Sequence, residues 1–250
     1  MNDFLYFIPD KFILLLLVIT LSGFIRGFLG FASAFVTIPI ISFLYSPLFA
    51  IAFNIIIEIP STIYLTYVGI KTCKFKEVSP MFFSIILTIP IGTIFLVLIN
   101  EQILKITISL LVLFFMALIA SGWRLKSSIT KLVLIITGAI SGLMQGTAGM
   151  SGPPYATILL SKGDPDNITR GNILIMSPAL VISSVISLYY FNLFNRDIIL
   201  VGMVSAPIYI FATYIGSRFY NFSGNKYFRN TSLIVLTIIG VTTLITAFVQ

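Results

Sequence analysis

The sequence has no histidine, one cysteine and few charges, which make up 9% of its 250 residues. Each shortage removes a class of function. Without histidine there is no imidazole to act as a general base or to ligate haem. One thiol, Cys73, can build neither an intramolecular disulfide nor a thiolate metal centre, and it reads as an inert loop cysteine among Lys71, Lys74 and Lys76. No aspartate pair lies in an apolar run: Asp164 and Asp166 fall in the polar stretch SKGDPDN, and Asp197 follows Arg196. The chain is therefore not expected to be an enzyme, and it implies no cofactor and no bound metal. Charge at 9% beside 58% hydrophobic residues excludes a water-soluble domain, in which about 25% of residues are charged. The net charge of +7 does not point to nucleic acid, because the 15 basic residues sit mostly in short loops between apolar runs.

Those runs fall at about Phe12 to Leu29, Ala32 to Tyr45, Leu48 to Val68, Pro80 to Ile99 and Ile103 to Ser121. A second series covers Lys131 to Met144, Met150 to Leu160, Ile168 to Phe191, Ile198 to Gly216 and Tyr227 to Val249. None alternates with period two, and a lone strand would leave its backbone unpaired in lipid, so the runs predict helices and exclude a barrel. Before the first run stand Asp3, Asp10 and only Lys11, with no small-residue cleavage site, so that run is expected to be retained.

The two series share landmarks. Gly23, Gly27 and Pro39 recur 115 residues later as Gly138, Gly142 and Pro154; Asn54 and Pro60 match Asn172 and Pro178; Pro90 matches Pro207. This predicts a duplication, residues 1–122 and 123–250, forming one structural unit. The duplicated prolines suit a fixed architectural role, with hinge motion the alternative. In each half the second run is too short to cross ~30 Å of hydrocarbon and follows a glycine-containing stretch, which predicts a hairpin of broken helix. Each hairpin precedes three full spans, giving an all-α polytopic membrane protein of about eight to ten transmembrane segments. If the hairpins return to the side they entered, eleven basic residues (Lys71, Lys74, Lys76, Arg124, Lys126, Lys131, Lys162, Arg170, Arg218, Lys226, Arg229) collect on one face and Lys11, Lys105 and Arg196 on the other. The positive-inside tendency then makes the first face cytoplasmic, the halves inverted and both termini external, in a multi-pass protein of the cell membrane.

Inverted halves with broken helices suit a secondary transporter. Helices restarting after the breaks, near Ala32 and Ser33 and near Ser151 and Gly152, offer free N–H groups to an anion. Gly146, Gly149 and Gly152 allow a ligand near the backbone, and Thr147 and Ser151 add hydroxyls; the same glycines also suit close helix packing. Two ionisable residues stand inside apolar runs. Glu58 lies near the middle of its span, where burial disfavours the charged form, so it is a candidate proton carrier or a paired structural carboxylate. Arg26 either attracts the anion or snorkels to the interface. Asn54 and Asn172, equivalent under the duplication, are candidates to orient the oxygens of an anion without a buried charge.

The segments GFLGFASAFVTIPI and GLMQGTAGMSGPPYATILLSKGDPDNITRGNIL resemble the sulfite exporter TauE/SafE family of membrane transporters, over nearly all 250 residues. The likeness to its GxxGxxGxGGPP, LLS and Arg-x-Asn pattern rests on Gly142, Gly149, Gly152, Pro153, Pro154, Ser161, Arg170 and Asn172, and Glu58 fits a glutamate often found in the first half. The first half departs from the pattern at Phe31, Ala32, Ser33 and Ala34, where many relatives have glycines. The resemblance implies transport of small sulfur-containing or carboxylate anions such as sulfite or sulfoacetate. The expected partners are that anion, the lipid bilayer and a proton or ion as co-substrate, with no nucleic acid; the oligomeric state stays open. A passive anion channel and a non-transporting membrane scaffold are the alternatives.

Overall fold

The computed structural model describes residues 10–120 and 129–223, and every regular element among them is an α-helix. The first half holds α1 (Asp10–Leu29), α2 (Ser33–Leu44), α3 (Pro47–Ile70), α4 (Phe75–Leu98) and α5 (Glu101–Ala120). The second holds α6 (Lys131–Ala148), α7 (Gly152–Ser161), α8 (Asp166–Leu174), α9 (Met176–Tyr190) and α10 (Arg196–Ser223). The run from Tyr227 to Val249 lies outside the described residues. Local chemistry starts several of these helices. Ser46 Oγ accepts from Phe49 N at 3.1 Å with Pro47 at the first helical position, Thr130 Oγ1 accepts from Val133 N at 3.3 Å, and Asn195 Oδ1 accepts from Ile198 N at 2.8 Å.

Five helical stretches are long and apolar enough to cross a membrane: Pro47–Ile70, Phe75–Leu98, Lys131–Ala148, Asp166–Tyr190 and Arg196–Phe222. Their outward faces carry exposed Ile63, Leu87 and Phe211, as a lipid-facing surface does. The fourth stretch was expected as one helix and is interrupted at Ile175, between α8 and α9. Pro178 has no N–H to donate to the carbonyl of Leu174, which frees the chain to turn there. Pro60 in α3 and Pro207 in α10 stay inside continuous helices.

The first helix of each hairpin packs on a helix of the other half, α1 on α10 and α6 on α4. Glycines set both contacts. A Cβ built on Gly23 or Gly27 would lie 2.7 Å from the Tyr209 carbonyl or 2.0 Å from the Thr213 carbonyl; on Gly142 or Gly146, 2.7 Å from the Ile85 carbonyl or 2.2 Å from the Ile89 carbonyl. Residue numbers climb together in both pairs, so α1 runs parallel to α10 and α6 parallel to α4. One end of the molecule is marked by Lys74 Nζ reaching Asp164 Oδ1 at 3.3 Å and Lys74 N donating to Asn172 Oδ1 at 2.8 Å. α4 starts at that end and α10 finishes near it, where Ser217 meets Arg170 on α8. The paired helices α1 and α6 therefore point in opposite directions, as inverted halves require. Hairpin α6–α7 enters and leaves at the same end, because α6 starts beside α4 and α7 is followed by Lys162, an ion-pair partner of Asp164. At 1.5 Å per residue, α2 and α7 are only ~18 and ~15 Å long, shorter than the ~30 Å of a bilayer's hydrocarbon.

The helix bounds line the two series up at a second offset. The breaks fall at Gly30 and Gly149, which have φ of +86° and +70° and follow the last residues of α1 and α6. They are 119 positions apart (149 − 30), as are the starts of α2 and α7 (152 − 33) and of α3 and α8 (166 − 47). The offset of 115 read from the glycines is one helical turn shorter. Glycines at positions 138, 142 and 146 stand four apart on one helix face, so Gly23 and Gly27 match the first two as well as the last two. At the offset of 119, Asn54 corresponds to Ile173 and Glu58 to Ser177.

Candidate functional site

The two breaks meet inside the protein. A Cβ on Gly152, at the start of α7, would lie 3.0 Å from the Phe31 ring and 3.4 Å from Ala32 N, and one on Gly149 would reach Ile38 on α2 and Ile51 on α3. The chain turns at the first break through Gly30 and Ala32, both at positive φ, which delivers Ser33 as the first residue of α2. Three of the residues expected at the site converge there. Arg26 Nη1 lies 3.0 Å from Glu58 Oε1, and Ser33 Oγ donates to the same Glu58 oxygen at 2.8 Å. Arg26 Nη2 donates to Thr62 Oγ1 at 3.1 Å. Arg26 is 4% exposed, Glu58 4%, Ser33 1% and Thr62 5%, so the group is occluded from both sides of the bilayer. Arg26 does not snorkel. Its guanidinium points inward because a carboxylate and a hydroxyl are waiting there, which relieves the cost of an isolated buried charge.

Two tyrosines complete the surroundings. Tyr155 of α7 and Tyr209 of α10 are buried and near enough to Arg26 and Glu58 to interact electrostatically with them. Tyr209 Oη lies against Ser33 and Glu58. Arg26 Nε and Asn54 Oδ1 have no hydrogen-bond partner among the described residues. Asn54 is one turn before Glu58 on α3. Buried polar atoms are rarely left unpaired, so these two mark unused hydrogen-bonding capacity around the ion pair.

Other residues singled out in the sequence have different surroundings. Gly146 lies in the contact between α6 and α4, and Thr147 Oγ1 donates to the carbonyls of Leu143 at 2.8 Å and Gly92 at 3.2 Å. Gly149 supplies the left-handed turn that ends α6, with its N–H on the Gln145 carbonyl at 2.9 Å. Ser151 is buried at the start of α7 and makes no side-chain capping bond. Asn172 caps the other half of the molecule, since its Oδ1 holds the N–H of Lys74 just before α4. Nearby, Lys74, Glu77, Lys162 and Asp164 form an ion-pair network joining α4 to the loop after α7. Burial opposes charge on Asp164, but Lys162 and Lys74 outweigh it and hold its carboxyl below the usual range. Burial likewise opposes charge on Lys162, whose hydrogen bonds to Glu77 and Asp164 hold it above the ordinary lysine value.

The sequence profile of the sulfite exporter TauE/SafE family matches residues 15–243. The chain belongs to that family. No curated protein and no solved structure matches it. Membership in the TauE/SafE family implies an integral membrane transporter of sulfite-type anions, and it fits a role other than catalysis. The arrangement suits that role, because it holds one cation, one carboxylate and several neutral donors in a water-poor centre between two hairpins.

Residues missed in the sequence are Thr62, Tyr155, Tyr209 and Arg170's contacts. Thr62 follows Glu58 by four positions and thus shares its helix face, a signal that was available. The tyrosines stand in apolar runs, where nothing in the order of residues separates a ring facing the centre from one facing lipid.

Proposed function

We propose that this TauE/SafE protein moves a small sulfur-containing or carboxylate anion by alternating access through the occluded centre at Arg26 and Glu58, with a proton carried on Glu58. The observation that supports this reading is the buried ion pair with an unspent donor beside it, Arg26 Nε, and the Tyr209 hydroxyl against Ser33 and Glu58. While Glu58 is ionised, Arg26 is neutralised within the protein and holds an anion poorly. A proton on Glu58 removes the competing charge, and an anion can then take the guanidinium, the Tyr209 hydroxyl and the Ser33 hydroxyl as donors. Ala32 and Gly152 stand at the meeting of the hairpins, and Asn54 adds an amide one turn from Glu58. Loss of the anion lets Glu58 release its proton and re-form the pair. The occlusion favours a gated carrier over an open channel.

Purified protein in liposomes, given sulfite, thiosulfate, sulfoacetate and simple carboxylates in turn, should show saturable uptake of at least one anion, faster under an imposed proton gradient. Flux that rises linearly with concentration would identify a channel, and no flux for any anion would support the scaffold reading.

We further propose that the end carrying Lys74, Lys162 and Arg218 faces the cytoplasm, by the basic-residue asymmetry, which places both termini outside in the cell membrane. In a Cys73→Ser background, Lys76→Cys should resist an impermeant thiol reagent on intact cells while Asp197→Cys reacts. Reaction of both, or of Lys76→Cys alone, would overturn this orientation.

A further inference from the structure

We infer that Arg170 is the positioning residue of the Arg26–Glu58 pair: a cap that the second half of the chain places on the broken end of α1. The inference rests on the reading of that pair as the transport site. α1 stops at Leu29, and its last helical bond is Gly30 N to the Arg26 carbonyl at 2.7 Å. The carbonyls that follow, on Gly27 and Phe28, stand at the broken end of α1, in the buried interior. Arg170 meets both. Its Nη2 donates to Gly27 O at 2.7 Å and its Nε to Phe28 O at 3.3 Å, while Nη2 also reaches Ser217 Oγ at 3.1 Å. The guanidinium lies 4.0 Å over the ring of Tyr220.

The placement is unusual for a structural arginine. Arg170 is 3% exposed, and among the described residues no carboxylate pairs with it. Its charge is met by the negative end of α1 and by the ring of Tyr220. The repeat register sharpens the point. Its counterpart 119 positions earlier is Ile51, which packs on the other break at Gly149 through side-chain carbons alone. An apolar side chain is enough to hold that break, where no ion pair follows. At the first break the fork of Arg170 fixes the peptide planes at Gly27 and Phe28, directly after Arg26, and so fixes where the Arg26 guanidinium stands relative to Glu58. A bidentate donor does this better than a point charge, since two bonds to successive carbonyls restrain both position and rotation.

The test uses purified full-length protein with two readouts: hydrogen exchange along the chain and concentration-dependent sulfite uptake into liposomes. Arg170→Gln should raise exchange at residues 27–32 at least tenfold, with α3 and α4 unchanged, and raise the KM for sulfite at least fivefold with a smaller change in maximal rate. Arg170→Lys should fall between wild type and Arg170→Gln in both, because the ammonium still meets the helix end but cannot fork. Exchange unchanged at residues 27–32, or loosening spread through all helices with KM unchanged, would overturn the assignment. If Arg170→Gln does not fold, Arg170→Lys alone decides, and its matching wild type in both readouts would also overturn it. Absence of saturable sulfite uptake in the wild type would tell against sulfite at the proposed site, leaving the cap to be judged by exchange.

Discussion

Glu58→Ala should lower stability by about 3–5 kcal/mol, the usual cost of leaving one member of a buried ion pair alone. The variant strands the Arg26 guanidinium at a position only 4% exposed, and it also removes the acceptor of the Ser33 hydroxyl. Glu58→Gln should be milder, since the amide oxygen can still accept from Ser33 and Arg26 while the titrating proton is lost. Thermal unfolding in detergent would read the difference, and uptake measured across a pH series would read the consequence: Glu58→Gln should transport with a flat pH profile, or not at all. A profile identical to wild type would make the carboxylate structural and move proton coupling elsewhere. The double variant Arg26→Met with Glu58→Met separates charge from shape. It should regain much of the lost stability, because apolar replacement of both partners removes the desolvation cost along with the attraction, and it should carry no anion.

Gly146→Ala should prevent α6 from seating on α4 and sharply reduce the yield of folded protein. The added Cβ would stand 2.2 Å from the Ile89 carbonyl oxygen and 2.6 Å from Thr93 N, both backbone atoms of a packed helix that cannot rotate aside. Relief requires the helices to separate along the whole contact, and close approach of small residues is a main source of helix association in lipid. Gly163→Ala is the matched control. No atom lies within 4 Å of its built Cβ, and only the positive φ of +78° resists the change, at a cost of ~1–2 kcal/mol. Expression and size-exclusion profiles of the two variants give the comparison. A well-folded Gly146→Ala that fails to transport would instead return this glycine to the anion path, as first expected from the sequence.

Membrane residence and helical architecture were legible from the order of residues. The reason is physical: in lipid every backbone group must be paired within its segment, so a run such as Leu48 to Val68 has one outcome, and α3 spans Pro47–Ile70. The rarity of charge in such runs also brought Arg26 and Glu58 forward, since an ionisable group there needs a partner or a task. What the sequence left undetermined was which partner each polar residue finds. Spacing of glycines by four repeats with the helix turn, so it specified a packing face but not the register of the two halves. The helix each glycine face meets came only from the seating of α1 on α10 and of α6 on α4. Likewise Arg170, 144 positions after Arg26 (170 − 26), reaches the end of α1 because distant parts of the chain pack together, and Tyr209 meets Glu58 because α10 packs beside both α1 and α3. Periodicity along one helix says which residues share a face; what that face meets is decided by packing between distant parts of the chain.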